Sequence, residues 1–449
     1  MEISFRKGLF FSLFFLFCLF LICPASSAQS FGLSFTASTA TPVVLSKKRH
    51  VVPITVRLKG HKRLVSSRRK PVNVSIIIDR STSMAGGAIE RAKESAIMAI
   101  NMLDREDIVS VVVYDNSATV IVPATKLHDK AEAIKAIRDI SVTGMTALFG
   151  GVSKGAGELR KFIESGYVNR AVLLSDGQAN VGPSSPTELG ELGASLAREG
   201  ISVSTIGLGL NYNEDLMAVL ARMSEGNHAF VEHATDLPRI FKHEFGDILN
   251  VVAKDVRIDL ECALGVRPVR VLGRRAEIRG QKVSLRLNEV YSEQEKDIII
   301  EVEAPEGESG EIKNLAEVRV AHVDALSAVN SDRAEVLRLS YADTSEEVEK
   351  RINKDAYVSY QRQLVNDDRD SAIALKDQGK KGEARKVLEL SKTKLEGLSS
   401  SLGIPQLREL SKEVQEDAEG MGAMGAKWDA KRKAMRVEQN RVNSGQTWK

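Results

Sequence analysis

Asn73-Val-Ser-Ile-Ile-Ile-Asp79-Arg-Ser81-Thr-Ser83-Met84 is the stretch that decides the fold. Val74 to Ile78 is mostly apolar and β-branched, the pattern of a strand buried on both faces. It ends in a carboxylate, Asp79, and two hydroxyls follow at alternate positions, Ser81 and Ser83. Gly86 and Gly87 lead into a helical pattern from Ala88 to Leu103, with apolar residues Ile89, Ala92, Ala96, Met98, Ile100 and Leu103. A buried strand would thus deliver Asp79 to the carboxyl edge of an open sheet, where α/β folds bind their ligands. Three oxygens on one tight loop can converge on a single hard cation. Hydroxyls are neutral, so such a cation keeps much of its charge and is suited to capture a further carboxylate. The competing reading is that Ser81 and Ser83 only cap the helix.

Two later stretches favour the cation. Thr143-Gly-Met-Thr146-Ala-Leu-Phe-Gly150 is a glycine-flanked loop opening a second helical pattern, and Ala171-Val-Leu-Leu-Ser175-Asp176-Gly177 is a second buried strand ending in a carboxylate. Asp79-x-Ser81-x-Ser83, Thr146 and Asp176-Gly177 together resemble the metal-ion-dependent adhesion site of von Willebrand factor type A domains in order, spacing and strand context. The resemblance covers roughly Lys70 to Asn250. It implies that Ser81, Ser83 and Thr146 touch the metal directly and that Asp79 and Asp176 hold it mainly through water. The ion it implies is Mg2+ or Mn2+, with Ca2+ as a further candidate.

The chain has 449 residues and a net charge of +3, so as a whole it is no binder of polyanions. Its length suggests roughly two to four domains. Arg6 and Lys7 precede an apolar run from Leu9 to Ile22, then Pro24 and the small residues Ser26-Ser27-Ala28. This reads as a signal peptide, residues 1–28, cleaved after Ala28. The run is short for a membrane span, and no later stretch is long enough to be one. Cys18 and Cys23 leave with the signal, so Cys262 alone remains and no internal disulfide can form. That fits a bacterial periplasmic or secreted protein, with Cys262 a core residue.

Residues 29–71 alternate apolar and polar at period two and read as strands. They are strongly basic (Lys47, Lys48, Arg49, Lys59, Lys62, Arg63, Arg68, Arg69, Lys70), with no acid from Thr41 through Ile78. Residues 47–70 are therefore a candidate patch for an anionic envelope polymer, or solvated charge protecting a sheet edge. No aromatic residues interleave with them, which argues against nucleic acid. Strands are expected at 74–78, 108–114, 119–123, 170–175, 202–207 and 228–231, and helices at 88–103, 128–140, 146–165, 187–198, 214–223 and 236–252. This alternation predicts a doubly wound, mostly parallel sheet, Rossmann-like, over 72–252. The Asp115-Asn116 turn predicts one antiparallel edge strand. His228, His233 and His243 lack metal-ligand spacing and read as packing or surface residues.

Residues 253–325 return to strands. Neither β stretch has enough strands alone, so the α/β domain is read as an insertion in a β-sandwich. That layout resembles, more loosely, bacterial exported proteins of the inter-alpha-trypsin-inhibitor and calcium-activated chloride-channel-like type. Residues 331–418 read as helical, with a hairpin of 345–376 and 381–398 and a shorter helix at 404–417. Gly420-Met-Gly-Ala-Met-Gly425 matches Gly-x-Gly-x-x-Gly but follows no strand, so it is read as a flexible linker. The whole segment 419–449 is taken as a flexible or docking tail.

The expected function is a metal-dependent binding module, not an enzyme. A partner's Glu or Asp would complete the cation's coordination, and Arg80, Met84, Met145, Phe149, Gln178 and Asn211 would set specificity. One alternative is an envelope scaffold acting through its helical and β regions beside an idle metal site. The other is a hydrolase whose metal activates water, with Asp115 as base.

Overall fold

The computed structural model describes residues 32–62, 69–163 and 166–445. The signal-peptide reading and its cleavage site lie outside the described residues. The first strands are β1 (Leu33–Thr39), β2 (Val43–Leu45) and β3 (His50–Gly60). An α/β unit follows: β4 (Val72–Asp79), α1 (Gly87–Met102), β5 (Ile108–Tyr114), β6 (Ala118–Lys126), α2 (Lys130–Arg138), α3 (Leu148–Arg160), β7 (Val168–Ser175), α4 (Pro186–Arg198), β8 (Ile201–Leu208), α5 (Glu214–Met223), β9 (His228–Val231) and α6 (Leu237–Leu249).

In this unit β4, β5, β7 and β8 are buried at every position, which is why their sequences are rich in β-branched and other apolar residues, with the few polar ones buried as well. The sheet order is β6-β5-β4-β7-β8-β9. Every pairing is parallel except β5 with β6, which the Asp115-Asn116 turn joins as a hairpin. From β4 the chain winds one way to β5 and β6, then crosses to β7 and winds the other way. The point where the winding reverses lies between the carboxyl ends of β4 and β7. Ile76 and Ile78 point into a core shared with α1, α2 and α6, and Ile77 into one shared with α3, α4 and α5. Glycines let α3 approach closely: a Cβ at Gly155 would lie 2.8 Å from Ile77 Cγ1.

The chain continues through β10 (Val251–Cys262), β11 (Arg267–Val271), β12 (Glu277–Arg279), β13 (Lys282–Tyr291), β14 (Glu295–Ala304), β15 (Ile312–Asp324) and β16 (Asn330–Ala342). β3 pairs with β14 from Lys59↔Glu295 to His50↔Ala304, so the α/β unit is inserted between two strands of one sandwich. Its two sheets run β1-β3-β14-β11 and β12-β13-β10-β15-β16-β2. Ile54, Val56, Ile298 and Ile300 of one meet Val256, Ile258, Val318 and Val320 of the other, and Cys262 lies in that core. Arg57 bonds Asp297 at 2.7 Å, Arg49 and Lys59 meet Glu303 and Glu295, and Arg69 bonds Asp107 and Asp104. Nearby acids thus neutralise three of the basic residues that the polymer-binding reading names, Arg49, Lys59 and Arg69.

Helix does not begin at Ser331. β16 pairs with β15 from Ile312↔Ser340 to Val323↔Asn330, and Leu337, Leu339 and Tyr341 are buried while Arg338 and Ser340 between them are not. The period-two alternation is present in the sequence, but the charges of 332–335 disguise it. The sandwich therefore extends past residue 325 to Ala342. Five helices follow: α7 (Ser345–Lys350), α8 (Lys354–Asp377), α9 (Lys381–Leu402), α10 (Pro405–Gly420) and α11 (Ala426–Ser444). The expected first helix is two, because α7 stops at Lys350 with Arg351 as its C-cap and Asn353 then caps the next by accepting from Ala356 N. The glycine-rich stretch is a built turn rather than a flexible linker. Lys376 Nζ donates to the carbonyls of Met421 (2.8 Å) and Ala423 (2.9 Å) and lies 3.5 Å from the centroid of the Trp428 ring. The tail beyond it is α11, packed against α8, α5 and β9. Among the described residues no helix is long and apolar enough to cross a membrane.

His228 is a core residue, fully buried, with Nδ1 2.8 Å from Thr205 Oγ1. Burial holds its pKa down, from 6.5 to about 4, against the attraction of Glu214. The unfolded chain binds the proton below pH 6.5 and the folded chain only below about 4, so stability is lost as pH falls through this window. The loss amounts to ~3 kcal/mol for such a shift. Urea midpoints at pH 7 and at pH 4.5 should fall less steeply in His228→Gln than in wild type. Equal slopes would rule His228 out as the titrating group.

Candidate metal centre

Asp79 ends β4, and register alone places its neighbours. Tyr114 stands opposite it on β5, and Ser175 closes β7 on the other side. Ser175 Oγ donates to Asp79 Oδ2 at 2.6 Å, Tyr114 OH donates to the same oxygen at 3.3 Å, and the Ser81 amide donates to Oδ1 at 2.9 Å. The carboxylate is buried and cannot swing. Ser81 Oγ lies 3.0 Å from Ser83 Oγ, which donates to Asp176 Oδ1 at 2.7 Å. A Cβ built on Gly177 would lie 3.0 Å from Thr146 Oγ1 and 3.3 Å from Ser83 Oγ. Asp79, Ser81, Ser83, Thr146 and Asp176, drawn from three loops, therefore converge at one place.

Backbone bonds stitch those loops together. Thr143 N donates to Arg80 O (2.8 Å), Thr82 N to Gly144 O (3.2 Å), Ala147 N to Asp115 O (2.7 Å) and Asn180 N to Thr146 O (3.1 Å). Asn180 Oδ1 accepts from Thr146 N at 2.8 Å, and Asn116 Oδ1 from Met145 N at 2.7 Å. Gly144 takes φ +74°, and a side chain there would meet Asn116 Oδ1 at 3.0 Å. Tyr114, Ser175, Asn116 and Asn180 were not singled out from the sequence. Strand-end alignment would have found the first two, but the asparagines act across loops and leave no local signal.

The electrostatics favour a cation. Burial raises the Asp79 carboxyl despite its bonds to Ser175 and Ser81. Burial also pushes Asp176 up to about 6, with the Asp79 charge adding to it. Arg80, the nearby base, is turned away and bonds Asp115 at 2.7 Å. Two desolvated carboxylates that pair with no basic side chain among the described residues, with three hydroxyls beside them, form an oxygen-only donor set that fits a hard divalent ion. Among the described residues no three His, Cys, Asp or Glu side chains gather as a metal cluster. Any ion here depends on the hydroxyls.

Of the expected rim, Met145 is 52% exposed and Gln178 is exposed. Met84 is not on the rim: it is fully buried in the core beneath α1. Phe149 is half-buried against the core under α3. Both are apolar residues that helix packing draws inward.

Residues 73–243 match the family model of the von Willebrand factor type A domain. The chain carries a von Willebrand factor type A domain. It is 26% identical over 243 residues, 52% of this chain and 57% of the relative, to Uncharacterized protein sll0103 of Synechocystis. It is 25% identical over 240 residues, 53% of this chain and 41% of the relative, to Uncharacterized protein YfbK of Escherichia coli. Human inter-alpha-trypsin inhibitor heavy chain H3 is 28% identical over 169 residues, 36% of this chain and 18% of that protein. The chain thus spans about half the length of the first two relatives and less of the third. Among solved structures, the ArnB paralog VWA2 from Sulfolobus acidocaldarius aligns with TM-score 0.65 and 18% identity over 93% of this chain and 100% of that one. A von Willebrand factor type A protein from Catenulispora acidiphila aligns with TM-score 0.64 and 17% identity over 82% and 89%. These likenesses extend the shared fold well beyond the von Willebrand domain.

The Gly177 approach gives a direct test. Gly177→Ala should weaken Mg2+ binding by at least about tenfold, the lower end for disturbing a metal's surroundings. The thermal midpoint without metal should stay unchanged. Undiminished affinity would show that Thr146 and Ser83 do not share an ion at this spot.

Proposed function

We propose that this protein is an exported module that binds another protein through a divalent cation. The carrying observation is the convergence of the Ser81, Ser83 and Thr146 hydroxyls with the Asp79 and Asp176 carboxylates at the strand switch, beside exposed Met145. Neutral hydroxyls leave Mg2+, or Mn2+ or Ca2+ in its place, under-neutralised. A carboxylate from a partner's Glu or Asp then completes the shell, and the rim selects the partner. Von Willebrand domains serve as protein-interaction modules, often with a metal, and this supports the reading. So does the resemblance to the inter-alpha-trypsin inhibitor heavy chain. The export reading is supported by the signal pattern ending at Ala28, with the bacterial periplasm or the cell exterior as the proposed destination.

Hydrolysis is disfavoured because Asp115, the candidate base, is engaged by Arg80 and by the Ser117 amide at 3.0 Å. The scaffold alternative, with the metal idle, predicts partner binding that ignores the ion. The deciding experiment captures partners from envelope extract on the immobilised mature chain, with Mg2+ or with chelator, beside Ser81→Ala. A partner retained only by wild type with Mg2+ supports the cation-bridged reading. A partner retained equally under all three conditions establishes the scaffold instead.

A further inference from the structure

α11 buries the wrong residues for a permanent core helix. Its buried positions are Lys433, Met435, Gln439, Asn440, Asn443 and Ser444, only one of them apolar. α10 beside it buries Leu407, Leu410 and Val414. Among the described residues nothing pairs with Asn440 Nδ2, Asn443 Oδ1 or Ser444 Oγ, although all three atoms are buried. Unpaired buried polar atoms cost stability. Neutral hydrogen bonds also hold it, from His228 N to Asn440 Oδ1 (3.1 Å), from Gln439 Nε2 to Asn366 O (3.1 Å) and from Gln294 Nε2 to Ser444 O (3.1 Å), but most of its long-range side-chain contacts are ionic. Arg432 Nη2 bonds Asp215 at 2.6 Å and Asp377 at 2.8 Å, and Arg436 Nε bonds Asp215 at 2.9 Å. Lys433 pairs with Glu214. Pairs that water reaches, those with Asp377, Asp370 and Asp215, weaken with salt, whereas apolar packing and the buried Lys433–Glu214 pair respond little.

Lys433 also reaches the metal site's border. Its Nζ donates to Tyr212 O at 3.0 Å and lies 4.5 Å from the Tyr212 ring centroid. The preceding residue, Asn211, accepts from Gln178 Nε2 at 2.7 Å. Gln178 is two residues past Asp176 on the loop that carries Asp176 and Gly177. Two hydrogen bonds and a few backbone atoms thus join α11 to a metal-site carboxylate. The joint that would let the helix leave is Met424-Gly425, with Met424 71% exposed and Gly425 at φ +55°.

We propose that α11 is a detachable latch: it closes on the 211–215 segment through ion pairs, and its closure and cation binding at the Asp79 site strengthen each other. This rests on the cation reading above. A docked α11 pins Asn211, hence Gln178, hence the Asp176 loop in its ligand-holding arrangement. By reciprocity, an ion that orders that loop favours the docked helix.

Hydrogen exchange on the full chain tests the latch. Raising KCl from about 50 mM to about 500 mM, which shortens the screening length severalfold, should speed exchange in α11 by about tenfold and leave α8 and α10 unchanged. Equal protection of α11 at both salts overturns the latch. For the coupling, Mg2+ titration of Lys433→Met, and separately of Arg436→Gln, should show affinity at least about fivefold weaker than wild type, the lower range of inter-site coupling. Mg2+ should also slow α11 exchange in wild type. Wild-type affinity in both variants overturns the coupling while leaving the metal site standing. A wild type that takes up no Mg2+ overturns the cation reading and the coupling with it, while the salt response of α11 still decides the latch.

Discussion

Asp79→Asn will abolish saturable Mg2+ binding, and it will do so without unfolding the protein. Asp79 is a buried carboxylate whose charged form burial disfavours and which has no basic partner among the described residues. In the metal-free chain its charge is therefore a cost, and an amide of the same shape removes it. The variant should be at least as stable as wild type in chelator. Added Mg2+ separates the two. A ligand that binds only the folded state stabilises it by RT ln(1 + [L]/Kd), ~2.7 kcal/mol at a hundredfold excess over Kd. Wild type should gain that increment and Asp79→Asn none, and calorimetry should show at least about a hundredfold loss of affinity. Thermal midpoints with and without Mg2+, beside the titration, check both statements. A variant that keeps the Mg2+ increment would place the ion elsewhere.

Arg170→Met will destabilise the chain by about 3–5 kcal/mol, the range for removing one member of a buried ion pair. Arg170 lies on β7 and is fully buried. It donates to Ser204 Oγ at 3.0 Å, bonds Glu289 and the Tyr291 hydroxyl, and stands 3.7 Å from Glu244. These acids hold its pKa up against burial. Glu244 sits on α6, while Glu289 and Tyr291 belong to β13 of the sandwich, so this one guanidinium ties the inserted domain to its host. Without it Glu244 and Glu289 remain buried and lose the guanidinium that stands between them. Urea denaturation should show the loss, and Arg170→Met/Glu289→Leu/Glu244→Leu should recover part of it, because replacing a whole buried ionic set with apolar groups is far less costly than breaking it. A single variant as stable as wild type would show that Arg170 is not what joins the domains.

How much was legible depended on how local the signal is. Val74 to Ile78 and Ala171 to Ser175 announced their own burial, because a strand covered on both faces is mostly apolar with no polar face. Asp79, Ser81 and Ser83 lie within one turn of chain, so their convergence needs no distant partner. Thr146 and Asp176 became readable through a known arrangement rather than through spacing. β16 went unread because Asp332, Arg333 and Glu335 face solvent or neighbouring strands and break the pattern. α11 was left undecided between fraying and docking because its contacts with Glu214, Asp215 and His228 span more than two hundred residues.

Local pattern was enough for the doubly wound sheet, the ligand-bearing strand ends and the sandwich split by an insertion, since period-two and period-3.6 burial are properties of consecutive residues. The three-dimensional arrangement alone decided which groups steady Asp79, that Arg170 ties the two domains, that Met84 is core rather than rim, and that a basic helix from the far end of the chain rests against the metal site's border. Those are pairings of charge and hydrogen bond across long loops, and no short stretch of sequence records which distant partner it will meet.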